Sequence, residues 1–309
     1  QKIAAILNIP LIMLNYEKEY KKNVIEPMFK SYSSGLTPNP DSLCNKIIKF
    51  PFLWKEAKKL GVDYIATGHY AKIKKTKFGF KLLKAKDKTK DQSYFLYDLK
   101  QKDLQHTLFP IGEANLIKEK VRKIAKKYNF PNWNKKSTRG ICFVGKINMK
   151  SFLKQKIKEE KGLIKDPEGE IIGEHSGIMF YTIGERIGQK ISCYINKEYK
   201  NKIRKKLYVA DKIIKKNILV VAPFEHNILK KDSFIIRKIN WINKKLKLPL
   251  INIKVRIRHL GELIPAFIIK KNNKIFCKLK KAIKGLAEGQ SAVIYKGNEV
   301  LGGGEIRFK

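Results

Sequence analysis

Residues 62–70 read Val62-Asp63-Tyr64-Ile65-Ala66-Thr67-Gly68-His69-Tyr70. The run 62–67 has the composition of a buried strand, and it stops at Gly-His. In open α/β sheets ligands bind beyond the carboxyl ends of strands, and a glycine there lets backbone approach the ligand closely. His69 is placed to meet a phosphate or a base, although an ordinary strand-end turn has the same appearance. Working back from this strand, residues 41–60 carry a helical pattern interrupted by Pro51 and closed by Gly61. Residues 16–32 carry another, with Tyr20, Val24, Met28 and Tyr32 at helical spacing and Ser33-Ser34-Gly35 as the stop. Residues 11–14 are a short strand-like run, and residues 2–7 read as the end of a helix closed by Asn8-Ile9-Pro10. Strand, helix, helix, strand predicts an α/β domain with a parallel sheet.

Working forward, residues 80–83 read as a further strand, and residues 117–128 as an amphipathic helix closed by Asn129 and Pro131. Residues 150–158 are helical in pattern, followed by Gly162, Pro167, Gly169 and Gly173. From residue 217 onward short β-rich runs dominate: 218–222, 233–239, 251–257, 266–269, 275–279, 292–295 and 304–308. These predict a small β-barrel or sandwich. The expected division is an α/β domain over 1–145, a central domain over 146–217 and a β-barrel over 218–309.

The 309 residues carry 68 Lys and Arg against 27 Asp and Glu, a formal net charge of +41. Such a chain attracts phosphate backbones, so nucleic acid is the first partner to consider. Lysine dominates the positive charge, and the codon bias of an AT-rich genome accounts for that excess equally well. No apolar run reaches the ~18 residues of a membrane span, and no secretory pattern opens the chain. The four cysteines, Cys44, Cys142, Cys193 and Cys277, show neither zinc-type nor disulfide-scaffold spacing. A reducing, cytoplasmic setting is expected.

Two cysteines lie in unusual surroundings. Cys44 follows Gly35-Leu36-Thr37-Pro38-Asn39-Pro40-Asp41-Ser42-Leu43, where two prolines restrict the loop and Asp41 is the expected helix N-cap. That would put Cys44 in the first helical turn, where the positive helix end favours a thiolate. Cys142 lies in Gly140-Ile141-Cys142-Phe143-Val144-Gly145, between glycines that permit a mobile loop. Taken singly, each cysteine is better explained as a small buried hydrophobe. Lys90-Asp91-Gln92-Ser93-Tyr94-Phe95 combines charge, amide and aromatic groups suited to RNA, or to a solvated loop anchored by its aromatics. His175, Tyr181, Arg186, Arg258, His259 and Gln290 are scattered polar residues. Ser-His-Asp ordering, H-E-x-x-H and a Walker A loop are all absent from the sequence.

Taken in order, residues 37–50, 63–70, 90–96, 108–113, 140–145, 173–186, 289–295 and 301–304 resemble the motifs of the tRNA-specific 2-thiouridylases, the MnmA/TrmU family. The resemblance spans nearly the whole chain. It implies a partial ATP-pyrophosphatase domain (the PP-loop, adenine nucleotide alpha hydrolase-like α/β fold), a small central tRNA-binding domain and a C-terminal β-barrel. It implies ATP-dependent 2-thiolation of the wobble uridine of tRNA through a cysteine persulfide. Cys142 would carry the persulfide, Cys44 would be the other nucleophile, and a disulfide would form between them. Asn39, Pro40 and Asp41 would touch the target base, and Gly68 would lie at the ATP. His69, Lys90, Asp91, Gln92, Arg258, His259 and Gln290 would contact tRNA. ATP with Mg²⁺ and a sulfur-donor protein are the implied cofactor and partner, and a monomer is expected.

Three departures bear on this resemblance. The family's S-G-G-x-D-S loop, which cradles ATP phosphates through backbone N–H groups, has no counterpart in these residues, so the opening part of a family member is expected to be missing here, either because this is a fragment or because the gene has decayed. Ser137-Thr138-Arg139 replaces the usual Asp-Ser before Cys142, and Glu185 stands where Gln is common before Arg186. Without the phosphate loop, a tRNA-binding chain that lacks catalysis is the alternative.

Overall fold

The computed structural model describes residues 1–135, 145, 148–187, 193–243 and 246–308. Two long helical runs dominate its first part. One comprises Glu17–Tyr20, Lys21–Ile25 and Glu26–Ser33; the other comprises Pro40–Cys44, Asn45–Lys49 and Phe50–Lys59. The middle segment of each is a π-helix. Each π segment ends two residues before a proline, Pro27 or Pro51. A helical proline lacks the N–H for the carbonyl four residues back and its ring clashes with that carbonyl. Those carbonyls belong to Asn23 and Ile47, inside the π segments. The widened turn accommodates the ring there without ending the helix. Pro51, which interrupts the sequence pattern, is therefore passed through.

Four strands occur in this part: β1 (Ile65–Ala66), β2 (Ala71–Thr76), β3 (Gly79–Lys84) and β4 (Thr107–Leu108). β1 and β4 pair in parallel. β1 is shorter than the run 62–67, because its ladder among the described residues is two residue pairs with a single neighbour. Residues 11–14 form no strand and are exposed. The expected strand at 80–83 is β3, but with β2 it makes a hairpin that adds to the C-terminal barrel, through Leu82↔Val300 and Leu83↔Glu299.

The central sheet contains β5 (Gly162–Lys165), β6 (Ile171–His175), β7 (Cys193–Ile195), β8 (Leu207–Ile213) and β9 (Ile218–Pro223), in the order β7-β6-β5-β9-β8. The run 218–222, expected to open the barrel, is β9. It pairs with β8 and β5, because Leu219 and Val221 belong to the core that the central sheet shares with Tyr20, Val24, Met28 and Cys44.

The barrel comprises β10 (Lys230–Trp241), β11 (Leu250–Arg256), β12 (Ile264–Lys271), β13 (Lys274–Lys284), β14 (Ser291–Lys296) and β15 (Glu299–Arg307). Its order is β10-β13-β12-β11-β14-β15, and β15 pairs back to β10, closing it. Closure explains the Gly302-Gly303-Gly304 run. A Cβ on Gly302 would lie 2.0 Å from the Asn240 carbonyl oxygen, and one on Gly304 would lie 2.5 Å from that of Arg237. The expected architecture is found: an α/β part, a small central sheet and a C-terminal barrel.

Candidate active site

The loop before Cys44 is clamped from two sides. The Thr37 N–H donates to the Glu288 carbonyl at 2.9 Å, and Gln290 Nε2 donates to the Thr37 carbonyl at 2.9 Å. Thr37 Oγ1 donates to Thr182 Oγ1 of the central part at 3.3 Å. Gly289 has φ +89°, and a Cβ there would sit 2.9 Å from Thr37 N, so this close approach requires glycine. Gln290 thus holds the loop directly.

Asn39, not Asp41, is the N-cap. Its Oδ1 accepts the Ser42 N–H at 3.2 Å, and Pro40 occupies the first helical position. Proline suits that position because its fixed φ is helical and its missing N–H has no intrahelical partner to lose. Cys44 is consequently two positions deeper than expected. The helix-end field fades within the first turn, so its expected activating effect on Cys44 is weakened. Cys44 is fully buried, in a cluster with Val24, Met28 and Ile48. On the same helical run, Ser42 Oγ and Asn45 Oδ1 are buried without a hydrogen-bond partner. Such orphaned atoms each cost ~1–3 kcal/mol. Cys142 lies outside the described residues.

The segment 90–95 forms the other wall. Lys90 is half-buried, and Ser93–Phe95 is a 3₁₀ turn. Asp91 is 1% exposed. Its carboxylate accepts from Arg256 Nη1 at 2.8 Å and from the Ser93 and Ala85 N–H groups at 3.2 Å. Asp91 is thus paired structurally with β11, because a buried carboxylate must be neutralised by a close cation. Gln92 clamps Tyr70: Gln92 N donates to the Tyr70 carbonyl at 2.8 Å, and Tyr70 N donates to Gln92 Oε1 at 3.0 Å. Phe95 lies against the exposed His259, with ring centroids 4.3 Å apart. Asn45 Nδ2 donates to the Phe95 carbonyl at 3.1 Å, tying this turn to the Cys44 helix.

A polar chain connects the two walls. Asn39 Nδ2 donates to Ser291 Oγ at 3.2 Å, and Ser291 Oγ donates to Tyr97 Oη at 3.2 Å. Tyr97 is hydrogen-bonded to Asp98, whose carboxylate pairs with Lys46 at 3.0 Å. Burial raises the Asp98 pKa, with Lys46 and Tyr97 opposing the rise. Tyr94 Oη donates to the Ser291 and Ile257 carbonyls at 2.9 and 3.1 Å, and the nearby Asn39 amide opposes the rise that burial causes in its pKa.

Gly68 is exposed at the end of β1. His69 is 8% exposed, between the rings of Phe50 and Phe109, and its Nδ1 lies 2.8 Å from Thr67 Oγ1. Burial pushes its pKa down to about 3 from an ordinary 6.5, with Lys49 adding to the shift. A histidine depressed in the folded state contributes stability that is present above its unfolded pKa and is lost as pH falls toward the folded one. Stability is thus expected to fall between pH 6.5 and about 3 through this residue. Histidine-resolved NMR should find the His69 ring neutral at pH 5. Arg258 lines a cleft of about 350 Å³ between the central part and the barrel, together with Tyr208 and Phe224. Cys277 is a barrel-core residue, its pKa pushed up to about 12 by burial.

The fold therefore brings together Asn39, Pro40, Cys44, the 90–95 segment, His259 and Gln290. Sequence reasoning missed Arg256, Ser291, Tyr97 and Asp98. The one available signal was Asp91 beside an aromatic pair, since a buried acid demands a cation.

Three family models match the chain: the tRNA methyl transferase HUP domain over residues 1–146, the tRNA methyl transferase PRC-barrel domain over 150–223 and the Aminomethyltransferase beta-barrel domain over 231–306. The chain is 43% identical over 307 residues to the tRNA-specific 2-thiouridylase MnmA of Blochmanniella floridana, covering 98% of this chain and 81% of that protein. It is 43% identical over 313 residues to the Buchnera aphidicola protein of the same name, covering 100% and 83%. Identity to the Nitrosomonas europaea protein of that name is 39% over 307 residues, covering 98% and 83%.

Proposed function

This chain belongs to the tRNA-specific 2-thiouridylase family, and from that membership we propose that it replaces the 2-oxygen of the wobble uridine of tRNA with sulfur. It is a sulfurtransferase of tRNA modification. The observation that carries this reading is the loop 37–44, fixed by the central part and the barrel together, with Asn39 at its tip and Cys44 behind it. Two motif cysteines favour sulfur transfer over the methyl transfer in the domain descriptions.

ATP would supply activation, since a uracil carbonyl oxygen is a poor leaving group. Exposed Gly68 offers backbone for the adenine side, and the residues of this sequence include no counterpart of the phosphate-cradling loop. Mg²⁺ would enter with the nucleotide. The remaining chemistry belongs to this chain's side chains. A sulfur-donor protein places a persulfide on Cys142. The Cys44 thiolate attacks the Cys142 sulfur, an S–S bond forms between the two cysteines, and the terminal sulfur leaves as hydrosulfide. The persulfide S–S bond breaks as the Cys44–Cys142 bond forms and its electron pair leaves with the terminal sulfur: the Cys44 sulfur is oxidised by one level and the terminal sulfur reduced by one, so electrons balance. Hydrosulfide is the nucleophile for C2 of the uracil that Asn39, Pro40 and Asp41 present; the C–S bond replaces the C2–O bond, and the oxygen would leave as part of AMP. A cellular reductant resets the disulfide.

Lys90, Gln92, Arg258, His259 and Gln290 form the proposed tRNA surface, with His69 and Asp91 supporting it from within. Lys90→Ala and Arg258→Ala are each expected to weaken tRNA binding by about 3–10-fold and to reduce the salt slope by about one, measured by filter binding across salt concentrations. No helix among the described residues is long and apolar enough to cross a membrane. A cytoplasmic monomer is the setting that suits these reducible cysteines. The test is nucleoside mass spectrometry of tRNA incubated with the protein, ATP and a persulfide donor. Thiolation predicts 2-thiouridine and AMP; salt-sensitive binding without either product supports the binding-only alternative.

A further inference from the structure

We propose that Ser291, Tyr94 and Tyr97 are positioning residues that lock the Asn39 amide with its carbonyl oxygen outward, so that the loop accepts uridine and rejects cytidine. This rests on the reading that Asn39 meets the target base.

The lock follows from the direction of each hydrogen bond. An amide has two N–H donors and two carbonyl lone pairs. The Ser42 N–H can only donate, so the atom facing it is Oδ1. Nδ2 then faces Ser291 Oγ at 3.2 Å and Tyr94 Oη, which are both acceptors there. Tyr94 is an acceptor because its own hydrogen is directed at the Ser291 and Ile257 carbonyls. Ser291 is an acceptor because its hydrogen goes to Tyr97 Oη at 3.2 Å, and Tyr97 passes its own to Asp98. The Asp98 carboxylate, held by Lys46, can only accept, so it sets the sense of the whole chain. Ser291 and Tyr94 are 3% and 1% exposed, so water cannot readily substitute for either.

The Asn39 amide nitrogen is thereby directed inward at Ser291, and one carbonyl lone pair is left. Uracil carries an N3–H donor beside the C2 carbonyl that reacts, and it matches that lone pair. Cytosine carries an unprotonated N3 acceptor at the same place, so two acceptors would face each other. A site built for a donor rejects an analogue that lacks it, because the polar group is left unpaired.

The test compares binding of two anticodon stem–loops, differing only as U or C at the wobble position, by fluorescence anisotropy. The wild-type chain is expected to prefer uridine by about 10-fold or more. Ser291→Ala should cut that preference to about 2-fold, Ser291→Thr should keep it, and Tyr94→Phe should resemble Ser291→Ala. Asn39→Ala should lose the preference, with no further change on adding Ser291→Ala. Thermal melts of each variant check folding. Retention of the full preference in folded Ser291→Ala, or its absence in a wild-type chain that binds both RNAs, overturns the inference. Failure of the wild type to bind either RNA overturns the functional reading instead.

Discussion

Cys44→Ser is expected to lower 2-thiouridine formation by a factor on the order of 10³ or more while leaving folding and tRNA affinity nearly unchanged. Serine matches the thiol in size, and Cys44 lies fully buried against Val24, Met28 and Ile48, so no large cavity opens. A hydroxyl cannot take up the oxidised partner's sulfur at neutral pH, and no stable S–S bond can form with it. The substitution thus removes the step that frees hydrosulfide while keeping the cluster packed. A persulfide should accumulate on Cys142 in this variant, visible by mass spectrometry as one added sulfur. Cys142→Ser should be equally inactive and accumulate none. Wild-type turnover in Cys44→Ser would remove the cysteine from the reaction.

Asp91→Ala is expected to destabilise the protein by about 3–5 kcal/mol, because it strands a buried guanidinium. Asp91 and Arg256 have side chains only 2% and 9% exposed and meet at 2.8 Å. Arg256 also lies over the Tyr295 ring, and its Nε has no other partner. The same carboxylate holds the Ser93 and Ala85 N–H groups, so its loss releases the 3₁₀ turn as well as the barrel contact. Urea denaturation checks the magnitude. Replacing both partners with apolar residues should recover much of the loss, since the cost lies in the uncompensated charge. If Asp91 instead worked by touching RNA, Asp91→Ala would weaken binding and leave the urea midpoint in place.

These two positions also show what the sequence could reveal. Cys44 stood out through neighbouring Pro38, Asn39 and Pro40, a local pattern, and helix and loop fell where spacing indicated. The cap was misassigned to Asp41 because both residues are good caps by type, and only the position of Pro40 separates them. Pro51 looked like a break because the π turn that absorbs it leaves no mark in apolar spacing. The Asp91–Arg256 pair spans 165 positions, and the hairpin of β2 and β3 joins a barrel strand more than 200 positions away. Local periodicity identifies a strand but not its neighbour. For the same reason the run 218–222 was assigned to the barrel when its partners lie in the central sheet. The Asn39–Ser291–Tyr97–Asp98 chain was likewise hidden, since Tyr97 and Asp98 carry no local sign of function and Ser291 is marked only as one position of the run 289–295.

The most direct test of the account is a single turnover without reductant, followed by alkylation and peptide mass spectrometry. Sulfur delivery by the two cysteines predicts a Cys44–Cys142 linked peptide that grows in step with 2-thiouridine, one disulfide per modified base. Formation of 2-thiouridine while both cysteines remain fully alkylatable would contradict it.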